Sequence, residues 1–176
     1  MDHIDRKVTD NNEISQALKK ITYGFYIVTS KKDSKEMSTR DKDFIAAGTV
    51  SWISQGSFEP PLVTAAIKKQ SDLHETIEKS RVFNINIVGK NEKDMLSKFA
   101  KDTTIEGSKL NGYNFSEGKN GVPVLDDVPV YLECKVQKDV TLGDHSIFVA
   151  EVTGGGTRDA EAVPLVEWET NLHYGG

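Results

Sequence analysis

Cysteine is nearly missing from this chain. Cys134 is the only one among 176 residues, which excludes an intrachain disulfide and any zinc site built on several closely spaced thiolates. The histidines His3, His74, His145 and His173 stand far apart, with no His-x-x-x-His pair. His74 and Glu78 share a helical spacing, but two ligands do not close a structural metal site, so none is expected. Positive charge is also in short supply. Lys and Arg number 22 against 27 Asp and Glu, a formal net charge of −5, the wrong sign for a protein that gains affinity by neutralising nucleic-acid phosphates. No apolar run approaches the roughly 18 residues of a membrane-spanning helix. The opening Met1-Asp2-His3-Ile4-Asp5-Arg6-Lys7 is too polar for a signal peptide. A cytoplasmic chain without membrane or nucleic-acid partners is therefore expected. The common nucleotide cradles are absent as well. Gly154 and Gly156 supply two glycines of a dinucleotide fingerprint, but Asp159 holds the third place and no βαβ unit surrounds them.

What the chain does have is enough apolar material for a core: 37% hydrophobic and 28% charged residues over 176 positions, the size of one domain. A single unit over 1–176 is expected, with its core at about 13–153 and a C-terminal extension over 154–176. After Asn12, a good N-cap, Ile14, Ala17, Leu18 and Ile21 fall on one helical stripe, so a first helix is expected near 13–21. Tyr23 to Ser30 is aromatic and β-branched and reads as a strand. Residues 31–43 are charged and aperiodic, an exposed connection. Phe44 to Ile53 reads as one strand, broken at Ser54-Gln55-Gly56-Ser57 and Pro60-Pro61. Leu62 to Ile67 is the next. Ser71 or Asp72 caps a short helix, and Val82 to Val88 alternates, with Phe83, Ile85 and Ile87 on one face and Asn84 and Asn86 on the other. Asn91 opens a helix carrying Met95, Leu96 and Phe99. The polar, glycine-rich stretch 101–121 reads as an irregular surface excursion. Val128 to Val136 and His145 to Thr153 are strands, the second ended by Gly154-Gly155-Gly156. About six strands with three short helices and no βαβ alternation give an α+β, mainly β class: an antiparallel barrel with peripheral helices.

Four clusters could carry chemistry. On an extended strand Thr49 and Ser51 share a face and Trp52 takes the other, with Ser54, Gln55 and Ser57 on the exit. This is either a polar strand with a core tryptophan or a row of donors beside an aromatic slab. Lys68, Lys69 and Ser71 converge where a helix begins, which suits an anion, or is simply a serine cap beside solvated lysines. Asn84 and Asn86 either meet a ligand edge or face solvent, because an unpaired buried amide costs about 1–3 kcal/mol. In Gly143-Asp144-His145 the histidine is either a titrating group in a site or part of a turn. There is no nucleophile–base triad and no paired-carboxylate motif.

Taken in order, these residues resemble the flavin reductase-like, FMN-binding split-barrel family. The likeness runs from Tyr23-Gly24 through Val28-Thr29 to Thr49-x-Ser51-Trp52-x-x-Gln55-x-Ser57-Phe58-Glu59-Pro60-Pro61-Leu62-Val63. It continues through Phe83-x-Ile85-Asn86-Ile87, Lys98-Phe99-Ala100 and Leu132-Glu133-Cys134 to Gly143-Asp144-His145 and Glu151-Val152. The resemblance implies a Greek-key split β-barrel, a homodimer, bound FMN, and NADH or NADPH as electron donor, with a small-molecule or protein acceptor. It implies that Thr49, Ser51, Trp52, Ser54 and Gln55 line the flavin ring and ribityl chain. Lys68, Ser71 and His74 would lie near its phosphate, Asn86 near the ring or phosphate wall, and His145 on the nicotinamide side as the catalytic candidate. The alternative within the same resemblance is an FMN-binding electron carrier or sensor reduced by a partner protein.

Overall fold

The computed structural model describes residues 12–32 and 44–176. Of the connection expected over 31–43, residues 33–43 lie outside the described residues, while Lys31 is not a connection residue but the buried last residue of a strand. The elements follow as α1 (Asn12–Leu18), β1 (Tyr26–Lys31), β2 (Ile45–Val50), β3 (Ile53–Ser57), β4 (Leu62–Lys68), α2 (Asp72–Ser80), β5 (Val82–Ile87), α3 (Met95–Lys98), β6 (Ile105–Glu106), β7 (Lys109–Leu110), β8 (Tyr113–Glu117), β9 (Pro123–Leu125), β10 (Val130–Thr141) and β11 (His145–Thr157).

Seven strands form one antiparallel sheet in the order β2-β1-β5-β10-β11-β4-β3. Its two edge strands, β2 and β3, are consecutive in sequence, with only Ser51 and Trp52 between them. So short a link obliges the sheet to curl until its edges lie side by side, an open-seamed barrel. Period-2 alternation sends Val28, Phe83, Ile85, Cys134 and Phe148 inward. Helix α2 closes the barrel against β1, β2 and β4; Leu73, Thr76 and Ile77, at i, i+3 and i+4, are its buried residues. The expected single strand over Phe44–Ile53 is thus corrected to two. Ser51-Trp52 crosses the seam, and Ser54 to Ser57, expected as a break, pairs with β4 through a bulge between Gln55 and Ser57. An edge strand with one partner tolerates this polar composition.

A second core covers the outer face of β1, β2 and β5, where Ile27, Ile45, Met95, Phe99, Leu110 and Leu125 meet. It corrects the reading of 101–121 as an irregular excursion: β6 to β9 form a small antiparallel sheet, and Leu110 is fully buried. Nor does Gly154-Gly155-Gly156 end β11, which runs on to Thr157. A Cβ on Gly155 would lie 2.6 Å from the Tyr131 carbonyl oxygen, and one on Gly156 2.7 Å from the Tyr131 ring. The glycines let β11 lie close against β10. Beyond it the chain is built into the fold: Leu165 is buried, accepting from the Phe25 amide at 3.3 Å and donating to the Val88 carbonyl at 2.9 Å.

Helix α1 stops at Leu18, short of the expected 21, and buries none of its residues. Its stripe stays open: Ile14, Leu18 and Ile21 are 57%, 45% and 63% exposed. No helix among the described residues is long and apolar enough to cross a membrane.

Candidate functional site

Strand alternation builds a shelf on the outside of the barrel. Among the residues that do not point inward are Thr64, Ala66 and Lys68 on β4 and His145 and Ile147 on β11. Register sets Ser54 opposite Thr64, Ala66 opposite Ile147 and Lys68 opposite His145. Thr64 and Ala66 are short, so the surface is low there, while Trp52, emerging from the seam, forms a wall. Leu18 and Ile21 of the α1 stripe, Tyr23 and Gly175 complete the enclosure of a largely apolar cavity of about 380 Å³, within the range of small-molecule sites, about 300–1,000 Å³.

At one end of the shelf the Trp52 ring lies 4.8 Å from His145, tilted by 41°, and 4.8 Å from Tyr174, edge-on at 68°. His145 is held at both nitrogens: Nδ1 lies 2.6 Å from the Asp144 carboxylate and Nε2 lies 2.5 Å from the Tyr174 hydroxyl. The bond from His145 holds the Asp144 carboxyl below the usual range, helped by the charge of Lys68. Burial, then the Asp144 charge, pushes the Tyr174 phenol up. The backbone of this segment is anchored by Tyr23, whose phenol oxygen accepts from the Tyr174 amide at 2.7 Å and the Gly175 amide at 3.1 Å.

The other end is the start of α2. Ser71 is its N-cap: its Oγ accepts from the His74 amide at 3.1 Å and donates to the Lys68 carbonyl at 2.9 Å. The Lys69 amide donates to the Asp144 carbonyl at 2.9 Å, tying the helix start to the His145 turn. Unpaired backbone amides of a nine-residue helix and two lysines therefore stand beside the shelf.

Of the residues singled out from the sequence, Trp52 and Ser54 line the cavity, Lys68 and His145 pair across β4 and β11 beside it, and Ser71 caps the helix that follows β4. Others do not reach it. Thr49 donates its hydroxyl to the Leu96 carbonyl at 2.8 Å, toward α3, because β2 carries it to the outer core. Ser51 is buried at the seam. Gln55 is exposed and donates to the Ser57 carbonyl at 3.3 Å within its own bulge. His74 faces β11 rather than the helix start: its Nε2 bonds Ser146 at 2.6 Å and its ring lies 5.4 Å from Phe148. The expected ligand role of Asn86 is corrected outright. It is fully buried, donating to the Ile27 carbonyl at 2.9 Å and the Thr29 hydroxyl at 3.3 Å while accepting from the Leu125 amide at 2.9 Å. Asn84 is likewise buried, bonded to Asn120 and the Val122 carbonyl, and faces neither solvent nor a ligand.

Sequence reasoning missed Tyr174, Thr64, Ala66 and Ile147. The outward Thr64-x-Ala66-x-Lys68 alternation was a usable signal for the shelf. No local pattern marks Tyr174, which comes to His145 only through the tertiary fold.

Residues 18–176 match the family of flavin reductase-like domains. The chain is 29% identical over 157 residues to diflavin flavoprotein A 1 of Synechocystis sp., a match covering 89% of this chain and 26% of that protein. It therefore spans about a quarter of the length of the diflavin flavoproteins it matches. It is 26% identical to the ferric-chelate reductase (NAD(P)H) of Archaeoglobus fulgidus, over 87% of each chain. Among solved structures, the NADH:FAD oxidoreductase of Streptomyces globisporus in complex with NAD and FAD fragments has the same fold. Its TM-score is 0.74 at 18% identity, over 94% of this chain and 92% of that one.

Proposed function

The chain belongs to the flavin reductase-like domain family, and from that premise we propose an NAD(P)H-dependent oxidoreductase that takes hydride from the nicotinamide onto FMN and passes the electrons to an acceptor. The observation that carries this reading is the shelf itself: a flat indole walls an apolar cavity and packs on a doubly bonded imidazole, whose strand pairs with the one that leads into α2.

These residues fit a flavin. A tricyclic ring needs a flat apolar wall and a floor free of bulk, which Trp52, Thr64 and Ala66 supply. A ribityl chain needs polar partners, and Ser54 offers a hydroxyl at the shelf's rim. A terminal phosphate needs amide donors and cations, and Ser71, Lys68 and Lys69 stand at the start of α2. When bound, the flavin supplies the hydride acceptance and onward electron transfer itself. The protein's part is to bind, orient and dry the site. Trp52 excludes water from one side. His145, fixed by Asp144 and Tyr174, stands as an ordered ring beside Trp52 on the expected nicotinamide side. Hydride transfer needs the two reacting atoms about 3–3.5 Å apart, so orientation is the main catalytic contribution. A reaction fed by NAD(P)H fits a cytoplasmic nicotinamide pool, and the exposed apolar hairpin end of β10–β11 supports a homodimer.

An absorption spectrum of the purified protein in excess FMN, followed by anaerobic stopped-flow mixing with NADH and with NADPH, tests this. The expected result is a bound flavin spectrum that bleaches with at least one nicotinamide. A preparation that never takes up colour rejects the FMN site; a coloured protein bleached by neither nicotinamide rejects the reductase. That second outcome is the signature of the alternative, an electron carrier reduced by a partner protein.

A further inference from the structure

The segment after the short 3-10 turn Glu167–Glu169 folds back over the shelf, and one of its side chains does more than pack. Tyr174 meets Trp52 edge-on at 4.8 Å and His145 nearly perpendicular, with ring centroids 5.7 Å apart. Its hydroxyl and the Asp144 carboxylate take the two nitrogens of a single imidazole, at 2.5 Å and 2.6 Å. An ionised carboxylate can only accept, so the ring proton sits on Nδ1. In the neutral imidazole Nε2 then offers a lone pair, and the Tyr174 phenol donates to it. Burial, which pushes the phenol up, keeps that donor protonated.

We propose that Tyr174 is a positioning residue for His145: while Asp144 holds the ring proton on Nδ1, the Tyr174 hydroxyl donates to Nε2 and fixes the ring plane against Trp52 before any ligand arrives. The structural half of this inference stands on the chain's own atoms; its catalytic half rests on the proposed reductase function. The hydroxyl's role is separable from the anchoring of the segment, which runs through the backbone amides of Tyr174 and Gly175 to the Tyr23 oxygen. Tyr174→Phe therefore removes one bond and leaves both the anchor and the ring contact with Trp52.

The first measurement needs no flavin. In protein carrying 15N-labelled histidine, long-range proton–nitrogen spectra of His145 should show a single neutral tautomer, with Nδ1 of pyrrole type and Nε2 of pyridine type. In Tyr174→Phe the Nδ1 shift should stay of pyrrole type while the Nε2 resonance moves downfield as it loses its donor; an unchanged Nε2 shift overturns the proposal. The second measurement uses the flavin-loaded protein. Tyr174→Phe should slow the limiting rate of nicotinamide-driven flavin reduction about tenfold or more, with KM for the nicotinamide within about twofold. A lost Nε2 bond with wild-type kinetics overturns the positioning role. Failure of the wild-type protein to be reduced at all is a different result: it rejects the reductase reading, and the tautomer spectra still decide the geometry.

Discussion

Asn86 and Cys134 show how far a residue's setting departs from its chemistry on paper. Asn86 uses its amide three times inside the fold, tying β5 to β1 and to the Leu125 amide of β9. Asn86→Leu conserves volume but strands the Leu125 amide and deprives the Ile27 carbonyl of its donor. Each buried group left without a partner costs about 1–3 kcal/mol, so the denaturant midpoint should fall by the equivalent of about 2 kcal/mol or more while the folded fraction keeps its flavin affinity. An unchanged midpoint with weakened flavin binding would return Asn86 to the site. Cys134 faces the barrel core, and burial, reinforced by the Glu133 charge, pushes its thiol up to about 12. The thiolate is the reactive form. Native protein at pH 8 should thus be labelled by a disulfide reagent only at its unfolding rate, whereas denatured protein reacts at once. Rapid labelling of the folded chain would contradict this burial.

Elements were legible where pattern and environment agree. The alternation of Phe83, Ile85 and Ile87 gave β5 because its inner face meets the barrel core, as the pattern presumes. Polarity misled wherever another element covers a polar face: Asn84 and Asn86 look solvent-facing only until the Pro123–Leu125 strand is laid over them. The α1 stripe has the opposite fault, an apolar face with no core to enter. The break at Ser51-Trp52 was hidden because a chain crossing a barrel seam stays extended and keeps its hydrophobic residues. Of the site, Trp52, Ser54, Lys68, Ser71 and His145 could be found in sequence, and Tyr174 could not, since its partners are distant in the chain. Helix α2 offers a prediction at this scale, because Ser71 serves both the helix and the expected phosphate end. Ser71→Ala loses an N-cap worth about 0.5–2 kcal/mol and should lower the melting temperature as well as flavin affinity. Ser71→Asp keeps a capping oxygen but sets a negative charge beside the phosphate. It should melt like wild type yet bind FMN about tenfold more weakly, about 1.4 kcal/mol. If Ser71→Asp binds FMN as tightly as wild type, the phosphate does not sit at this helix start.

For the whole molecule, the distribution of exposed apolar side chains decides whether one chain suffices. At the end of the β10–β11 hairpin Leu142 is 94% exposed, and the cross-strand neighbours Val140 and Ile147 are 37% and 45% exposed. Such a patch supports the proposed association with a second copy. Ile147 belongs both to this patch and to the cavity lining, so a second copy seated here would also finish the wall of the flavin site. A stable contact needs about 800 Å² from each partner, more than three side chains provide, and the open stripe of α1 borders the same cavity. Sedimentation of the wild-type protein at micromolar concentration should therefore give twice the 19.5 kDa chain mass. Leu142→Lys with Val140→Lys places two charges in the contact while leaving Trp52, His145 and every cavity-lining residue unsubstituted. The double variant should sediment as a single chain and lose flavin affinity along with its partner. A wild-type protein that is monomeric and binds FMN fully would show that one barrel completes the site alone. A double variant that dissociates yet retains full flavin affinity would confine the second copy to a scaffolding role.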